Sequence, residues 1–212
     1  MAKKKDEEKL NVLPLVIKEY DLRIVGTSPL ICHAWSEKAK KMMLNKTMKK
    51  ATTGKEAKRP IMEYADTLYW LSKKPNLEDM TDEEILEAVD KGRFGFPTLA
   101  FKASAIAGAY RSKILENMVG ARGAFHIDDE FTEIKGKPEI LENNVKIGVS
   151  GAEIRYRAIF NEWETTLHIK YNEGAMSLDQ IVNLFNVGGF ACGVGDWRPE
   201  KDGRNGMYKV AV

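Results

Sequence analysis

Apolar and polar residues alternate over three stretches of the chain and recur at helical spacing over several others. In "YDLRIVG" (20–26) the alternation centres on Leu22 and Ile24 and predicts a first core strand. It ends at "GTSPL", where Gly26 and Pro29 break the pattern. "AEIRYRAIF" (152–160) places Ile154, Tyr156, Ala158 and Phe160 on one face. "WETTLHIKY" (163–171) does the same with Trp163, Thr165, Leu167, Ile169 and Tyr171. Only "NE" separates the two, which predicts an antiparallel hairpin. The opposite faces carry Glu153, Arg155 and Arg157, and Glu164, Thr166, His168 and Lys170, as in a sheet with one wet side. "GMYKVAV" ends the chain as a last strand.

Helical periods fill the space between. "HAWSEKAKKMMLNKTMKKA" has Ser36 as N-cap, Ala39, Met42, Met43 and Thr47 on one side, and Lys38, Lys41, Asn45 and Lys49 on a polar face. "TTGKEAKRP" (52–60) reads as a mobile loop. Helical patterns resume at "IMEYADTLYWLSK" and at "TDEEILEAVD", where Thr81 and Glu84 fit a capping box. After turns at Gly92, Gly95 and Pro97 comes an alanine-rich helix. Its expected buried stripe is Leu99, Ala103, Ile106, Tyr110 and Ile114, leaving Lys102, Arg111 and Lys113 available. "GARGAF" reads as a loop. In "SLDQIVNLFNVGGF", Ser177 and Gln180 form a second capping box, Ile181, Leu184 and Phe185 face inward, and Gly188 and Gly189 mark the stop.

With the helical insertion (about 36–118) counted as the first helix, the order is β-α-β-β-α-β. The expected fold class is α+β, a ferredoxin-like or RRM-like core with a glycine-rich loop before the last strand. Residues 1–18 read as a charged, flexible N-terminal segment and 19–212 as a single domain.

The formal charge of +2 over 212 residues says little about partners, but its distribution says more. Between Ser36 and Arg59 nine cations face only Glu37 and Glu56, a net +7. Between Ile61 and Asp90 nine acids face only Lys73 and Lys74, a net −7. Cys32 and Cys192 have neither metal-ligand spacing nor a disulfide framework, which points to a reduced, cytoplasmic setting. No apolar run approaches the roughly 20 residues needed to span a bilayer, so no membrane is expected.

The densest candidate chemistry is "GGFACGVGDWRPEKDGRNGMYKV" (188–210). "GVGDWR" begins like a dinucleotide fingerprint, but Arg198 replaces its last glycine. The loop also follows a helix and precedes a strand, the reverse of the required order. No phosphate-loop motif occurs, and no cofactor is expected. As a nucleic-acid loop it is better equipped. Gly193, Gly195, Gly203 and Gly206 admit close backbone approach, Arg198, Lys201 and Arg204 can pair with phosphates, and Trp197 can stack on an unpaired base. The competing reading is a surface hairpin with Trp197 packed on the core.

A strand ending in "GTSPLICH", then a ferredoxin-like body, a helix, a glycine-rich loop and a closing strand resembles the RAMP superfamily, the RRM-like subunits of CRISPR effector complexes. The "SPLICHAWSEKAKK" and "GDWRPEKDG" stretches also resemble phage proteins with a single such unit. The resemblance implies single-stranded nucleic-acid binding, with self-association along the strand. It places Arg198, Lys201 and Arg204 in the loop, and His33, Trp35 and Lys38 after the first strand, on the nucleic acid. Charge on the helix adds Lys41 and Lys49, whose plain alternative is a solvated face. The aromatics of the two paired strands face inward, so stacking on the sheet, as in a classical RRM, is not expected.

The expected function is non-enzymatic coating of single strands, DNA before RNA, in phage replication or recombination. Two alternatives remain. One is a RAMP-mimicking factor that docks on a host complex through the acidic segment. The other is an RNA-processing endonuclease with His33 as general acid–base and Arg198 stabilising developing charge. His126 reads as a loop or strand-edge residue and His168 as a solvent-face residue.

Overall fold

The strand centred on Leu22 and Ile24 forms the middle of the molecule. In the computed structural model, which describes residues 14–48, 57–147 and 151–211, β1 (Ile17–Gly26) and β2 (Leu30–Cys32) bracket the first turn. Then come α1 (Glu37–Thr47), α2 (Pro60–Asp66), β3 (Tyr69–Trp70), α3 (Asp82–Asp90), β4 (Phe94–Pro97) and α4 (Thr98–Arg111). The second half holds α5 (Val119–Ala124), β5 (Phe125–Ile127), β6 (Phe131–Glu133), β7 (Pro138–Ile147), β8 (Gly151–Phe160), β9 (Glu164–Asn172), α6 (Leu178–Ala191) and β10 (Tyr208–Val210).

This is a mixed α+β fold with antiparallel sheets. The main sheet runs β10-β1-β9-β5, and two three-stranded sheets run β2-β8-β7 and β3-β4-β6. Along the chain the main sheet and its two helices read β1-α4-β5-β9-α6-β10, the order and pairing of a split β-α-β unit. Leu22 pairs with Leu167 and Ile24 with Thr165, and all four are buried. Both helices lie over this face. Phe101 of α4 meets Trp163 and Tyr208, and Phe185 of α6 meets Phe125.

Several expectations are corrected. The stretches 152–160 and 163–171 do not pair with each other. β8 pairs with β7 and β2, whereas β9 pairs with β1 and β5, so the chain crosses between sheets at "NE". "GARGAF" is a short helix running into β5, the edge strand that completes the main sheet. The pattern in "IMEYADTLYWLSK" stops being helical at Asp66, and Tyr69–Trp70 is a strand paired with β4. The first core helix is α4, not the whole of 36–118, and the chain between β1 and α4 contains strands as well as helices.

The stripe expected on α4 is also wrong except at Ile106. Leu99 (72% exposed), Ala103, Tyr110 and Ile114 face outward, and Phe101, Ala105 and Ala109 are buried. Both sides of this helix are apolar, so packing decides between them. The buried side is the one narrow enough to meet α6. For the same reason α6 does not stop at Gly188 and Gly189 but runs to Ala191. Lys102 is not available either, since its Nζ donates to the Arg122 and Phe125 carbonyls (2.9 and 2.6 Å) and lies over the Phe125 ring.

On α1 the Ser36 cap forms as expected, its side chain accepting from the Ala39 N–H (3.0 Å). The expected inner side does not: Met42 and Met43 are exposed, as are Leu44 and Met48. The tail at 1–13 and most of the loop at 52–60 lie outside the described residues. Cys32 and Cys192 are buried and unpaired.

Candidate functional site

The turn after β1 and the glycine-rich loop before β10 are sewn together. Thr27 N–H donates to the Met207 carbonyl (2.8 Å), Met207 N–H to Ser28 Oγ (2.9 Å), Gly206 N–H to the Pro29 carbonyl (2.7 Å) and Asp196 N–H to the Ile31 carbonyl (3.2 Å). Gly206 sits at φ +68°, where a Cβ would overlap the Val194 carbonyl oxygen, so only glycine lets the loop fold back on itself beneath the turn. The two stretches that carry the sequence resemblance are thus one physical unit.

His33 follows the last residue of β2. The β2/β8 ladder pairs Leu30 with Phe160, Ile31 with Ile159 and Cys32 with Ala158, so its next step sets position 33 beside 157. Both side chains converge on Asp196. His33 Nδ1 lies 3.0 Å and Arg157 Nε 3.4 Å from the same oxygen, Oδ2. Burial alone would raise the Asp196 pKa, but the hydrogen bond from His33 and the charges of Arg157 and Arg198 hold it below the usual carboxylate range. Arg157 is only 6% exposed, and its Nε and Nη1 have no hydrogen-bond partner. Expected on the wet side of its strand, Arg157 is instead a buried cation held by one carboxylate. Tyr69 donates to the His33 carbonyl (3.2 Å), and burial pushes its hydroxyl up to about 12.

A cavity of about 290 Å³ opens beside this cluster. Its lining includes His33, Tyr69, Phe96 and Pro97, the loop residues Gly193–Asp196, and Ala100, Ala103 and Ala107 of α4.

The expected site residues fall into three groups. Trp35 follows shortly after His33 and Trp197 directly after Asp196, and both are exposed (59% and 50%), so Trp197 is not packed into the core. Its backbone is held at φ +54°, a left-handed conformation that bulky residues seldom adopt. Arg198 is at the site but occupied: Nε and Nη2 donate to Glu200 Oε2 (3.0 and 2.7 Å) and Nη1 to the Gly195 carbonyl (3.0 Å). Lys201 and Arg204 are exposed in the same loop, and Lys41 is exposed on α1. The Lys38 side chain and the whole of Lys49 lie outside the described residues.

Arg157, Asp196 and Tyr69 are the members of the site that sequence reasoning misses. Asp196 stands beside Trp197 in the glycine loop and was within reach of that reading; Arg157 and Tyr69 carry no local signal. Among the described residues, no group of three His, Cys, Asp or Glu side chains is placed to hold a metal ion. Nor is any described helix long and apolar enough to cross a membrane.

No family model and no curated protein matches the chain. Among solved structures it is similar to the crystal structure of Cmr6 from Pyrococcus furiosus, at 10% identity and a TM-score of 0.33, over 93% of this chain and 100% of that one.

Proposed function

We propose that this protein binds single-stranded nucleic acid on the surface formed by the β1–β2 turn, the glycine-rich loop and the start of α1. One observation carries the reading. Two exposed tryptophans, far apart in sequence, follow closely after His33 and Asp196, whose side chains are in contact. Exposed aromatics on a rigid base are stacking platforms for unpaired bases, each worth about 1–3 kcal/mol. The strained backbone at Trp197 supports the same reading, because such strain persists at sites where a side chain must be displayed. Lys41, Lys201 and Arg204 supply exposed cations for phosphates.

Arg198 is a structural member of this site and does not contact phosphate. That engagement also weighs against the endonuclease alternative, which needs a free cation at the developing charge. In this proposal the protein is a binder, not an enzyme, and the basic α1 and acidic α3 favour self-association along a strand. The resemblance to the RAMP superfamily points to the same class of ligand.

Tryptophan fluorescence tests the reading. Trp163 is buried, whereas Trp35 and Trp197 are open to a ligand. Single-stranded DNA and RNA are expected to quench the emission at low salt, with weaker binding at high salt and little effect from duplex. Absence of quenching by either single strand at low salt rules the proposal out.

A further inference from the structure

We propose that α1 docks on α3 of a second copy of this chain, laying its Met42–Met43 side along the acidic face that carries Leu86. The inference rests on the self-association named above, to which it gives a contact surface, and it needs no bound nucleic acid.

α1 lacks the packing that a short helix requires. Isolated helices below about 12–15 residues are marginal in water, and a helix in a protein is held chiefly by one buried face. α1 has 11 residues, and from Lys40 to Met48 every side chain except Asn45 is exposed. Four of these side chains are large and apolar, those of Met42, Met43, Leu44 and Met48. Phosphates would meet the lysines of this helix but leave its apolar groups in water. A protein surface can cover both.

The two helices carry matching stripes. Ala39, Met42, Met43 and Lys46 recur at i, i+3, i+4 and i+7, which sets them on one side of α1. Glu83, Leu86, Glu87 and Asp90 recur at the same spacing on α3, and all four are exposed. A groove of about 690 Å³ is lined in part by Leu86, Val89 and Phe94. Methionine side chains are flexible enough to fill such an irregular gap. Lys41 lies on the opposite side of α1 from this stripe and stays available to a strand.

Charge selects the partner. Four lysines against Glu37 give α1 a net +3, and five acids with no base give α3 a net −5. Glu83 has no ion-pair partner among the described residues. Glu87 holds Lys91 (2.5 Å) and Asp90 lies 3.7 Å from Lys137, but both are exposed pairs that contribute little and that another lysine can join. The other cations of the groove are met within the chain, Arg93 by Glu133 (2.8 Å) and Lys135 by Glu164 (3.6 Å). Both stripes stand open on one chain, so each is covered when two copies meet.

Sedimentation without nucleic acid tests the contact. At low salt the parent is expected to associate as its concentration rises, and less so at high salt. Two variants reverse the charge of one stripe each, Met42→Glu with Lys46→Glu on α1, and Glu83→Lys with Glu87→Lys on α3. Each sets like charges together and is expected to associate on the order of tenfold more weakly. Mixed in equal amounts, the two are expected to associate again, because the acidic α1 of one meets the basic α3 of the other. All four positions are exposed, and circular dichroism melting checks folding. A parent that stays monomeric at low salt overturns the contact. So does undiminished association of either variant, or a mixture that associates no better than its parts. Neither variant alters a residue assigned to the nucleic-acid surface, so both are expected to keep tryptophan quenching by single-stranded DNA. A parent that is quenched but does not associate defeats the contact alone, and one that associates without quenching defeats the binding reading alone.

Discussion

Gly108 of α4 and Gly188 of α6 meet so closely that a Cβ on Gly108 would lie 2.6 Å from the Gly188 Cα. A Cβ on Gly188 would lie 2.5 Å from the Ala105 Cα. Backbone stands on both sides, so no flexible side chain can move aside. Gly188→Ala is therefore expected to lower stability by about 1–3 kcal/mol through forced separation of the helices, despite the better helix propensity of alanine. Gly120→Ala in α5, where nothing lies within 4 Å, should instead gain up to about 1 kcal/mol. Urea midpoints of the two variants decide, and a neutral Gly188→Ala would contradict the packing account.

Arg157 and Asp196 form an unequal pair, the one buried and the other partly open to solvent. Removing the carboxylate leaves a buried guanidinium with no counter-charge, a loss of about 3–5 kcal/mol in comparable cases. Replacing Arg157 by methionine removes the charge that needs compensation, along with two nitrogens that already lack partners. Asp196→Ala should thus be the more destabilising change, and Asp196→Ala with Arg157→Met should recover part of the loss. A double-mutant cycle in urea measures this, and purely additive losses would refute it.

Two ionisable groups set stability in opposite pH windows. The hydrogen bond that His168 Nδ1 donates to Asp21 (2.6 Å) raises the His168 pKa. Its contribution is complete below the unfolded value of about 6.5 and is lost as pH rises through the higher folded value. Asp196 behaves the other way. Although burial opposes its ionisation, His33 and Arg157 lower its pKa, so its contribution is present above about pH 4 and disappears as pH falls through the folded value. His168→Gln should flatten the decline on the alkaline side, a small effect for an exposed pair. Asp196→Asn should flatten the decline on the acid side. Urea midpoints across pH report both, and an unaltered profile in either variant removes that group from the account.

Trp197 offers a separation of stability from binding. Glycine accepts φ +54° without strain, so Trp197→Gly should keep stability within about 1 kcal/mol of the parent. Loss of the ring should weaken single-strand binding on the order of tenfold. Trp197→Ala should bind as poorly and be less stable than Trp197→Gly. Parallel melting and anisotropy measurements test this, and unchanged binding by Trp197→Gly would remove the residue from the interface.

The parts of the fold that are legible in the chain are those whose signal is local. In β9, Thr165, Leu167, Ile169 and Tyr171 are buried as their alternation implies, and α6 starts at the Ser177–Gln180 capping box as its residues imply. β5 is not legible, because three residues at a sheet edge are too short a pattern to separate from a loop. The buried side of α4 is not legible either, because both sides are apolar and only the approach of Gly188 selects one. In the candidate site, the union of the first turn with the glycine loop can be anticipated from their pairing in the resemblance. Arg157 cannot. Alternation along β8 assigns it outward, and its burial depends on Asp196, which arrives from the other end of the chain.

Ser28 and Met207, joined by a hydrogen bond, stand 179 positions apart. A ribosome therefore releases the first turn long before the loop that completes it exists. Closing contacts of such span form late, since the intervening chain must be ordered before they are rewarded. A product that stops short of Asp196 presents His33 and Trp35 with no carboxylate to orient them and leaves Arg157 without its counter-charge. Assembly of the candidate site is thereby tied to completion of synthesis through these residues.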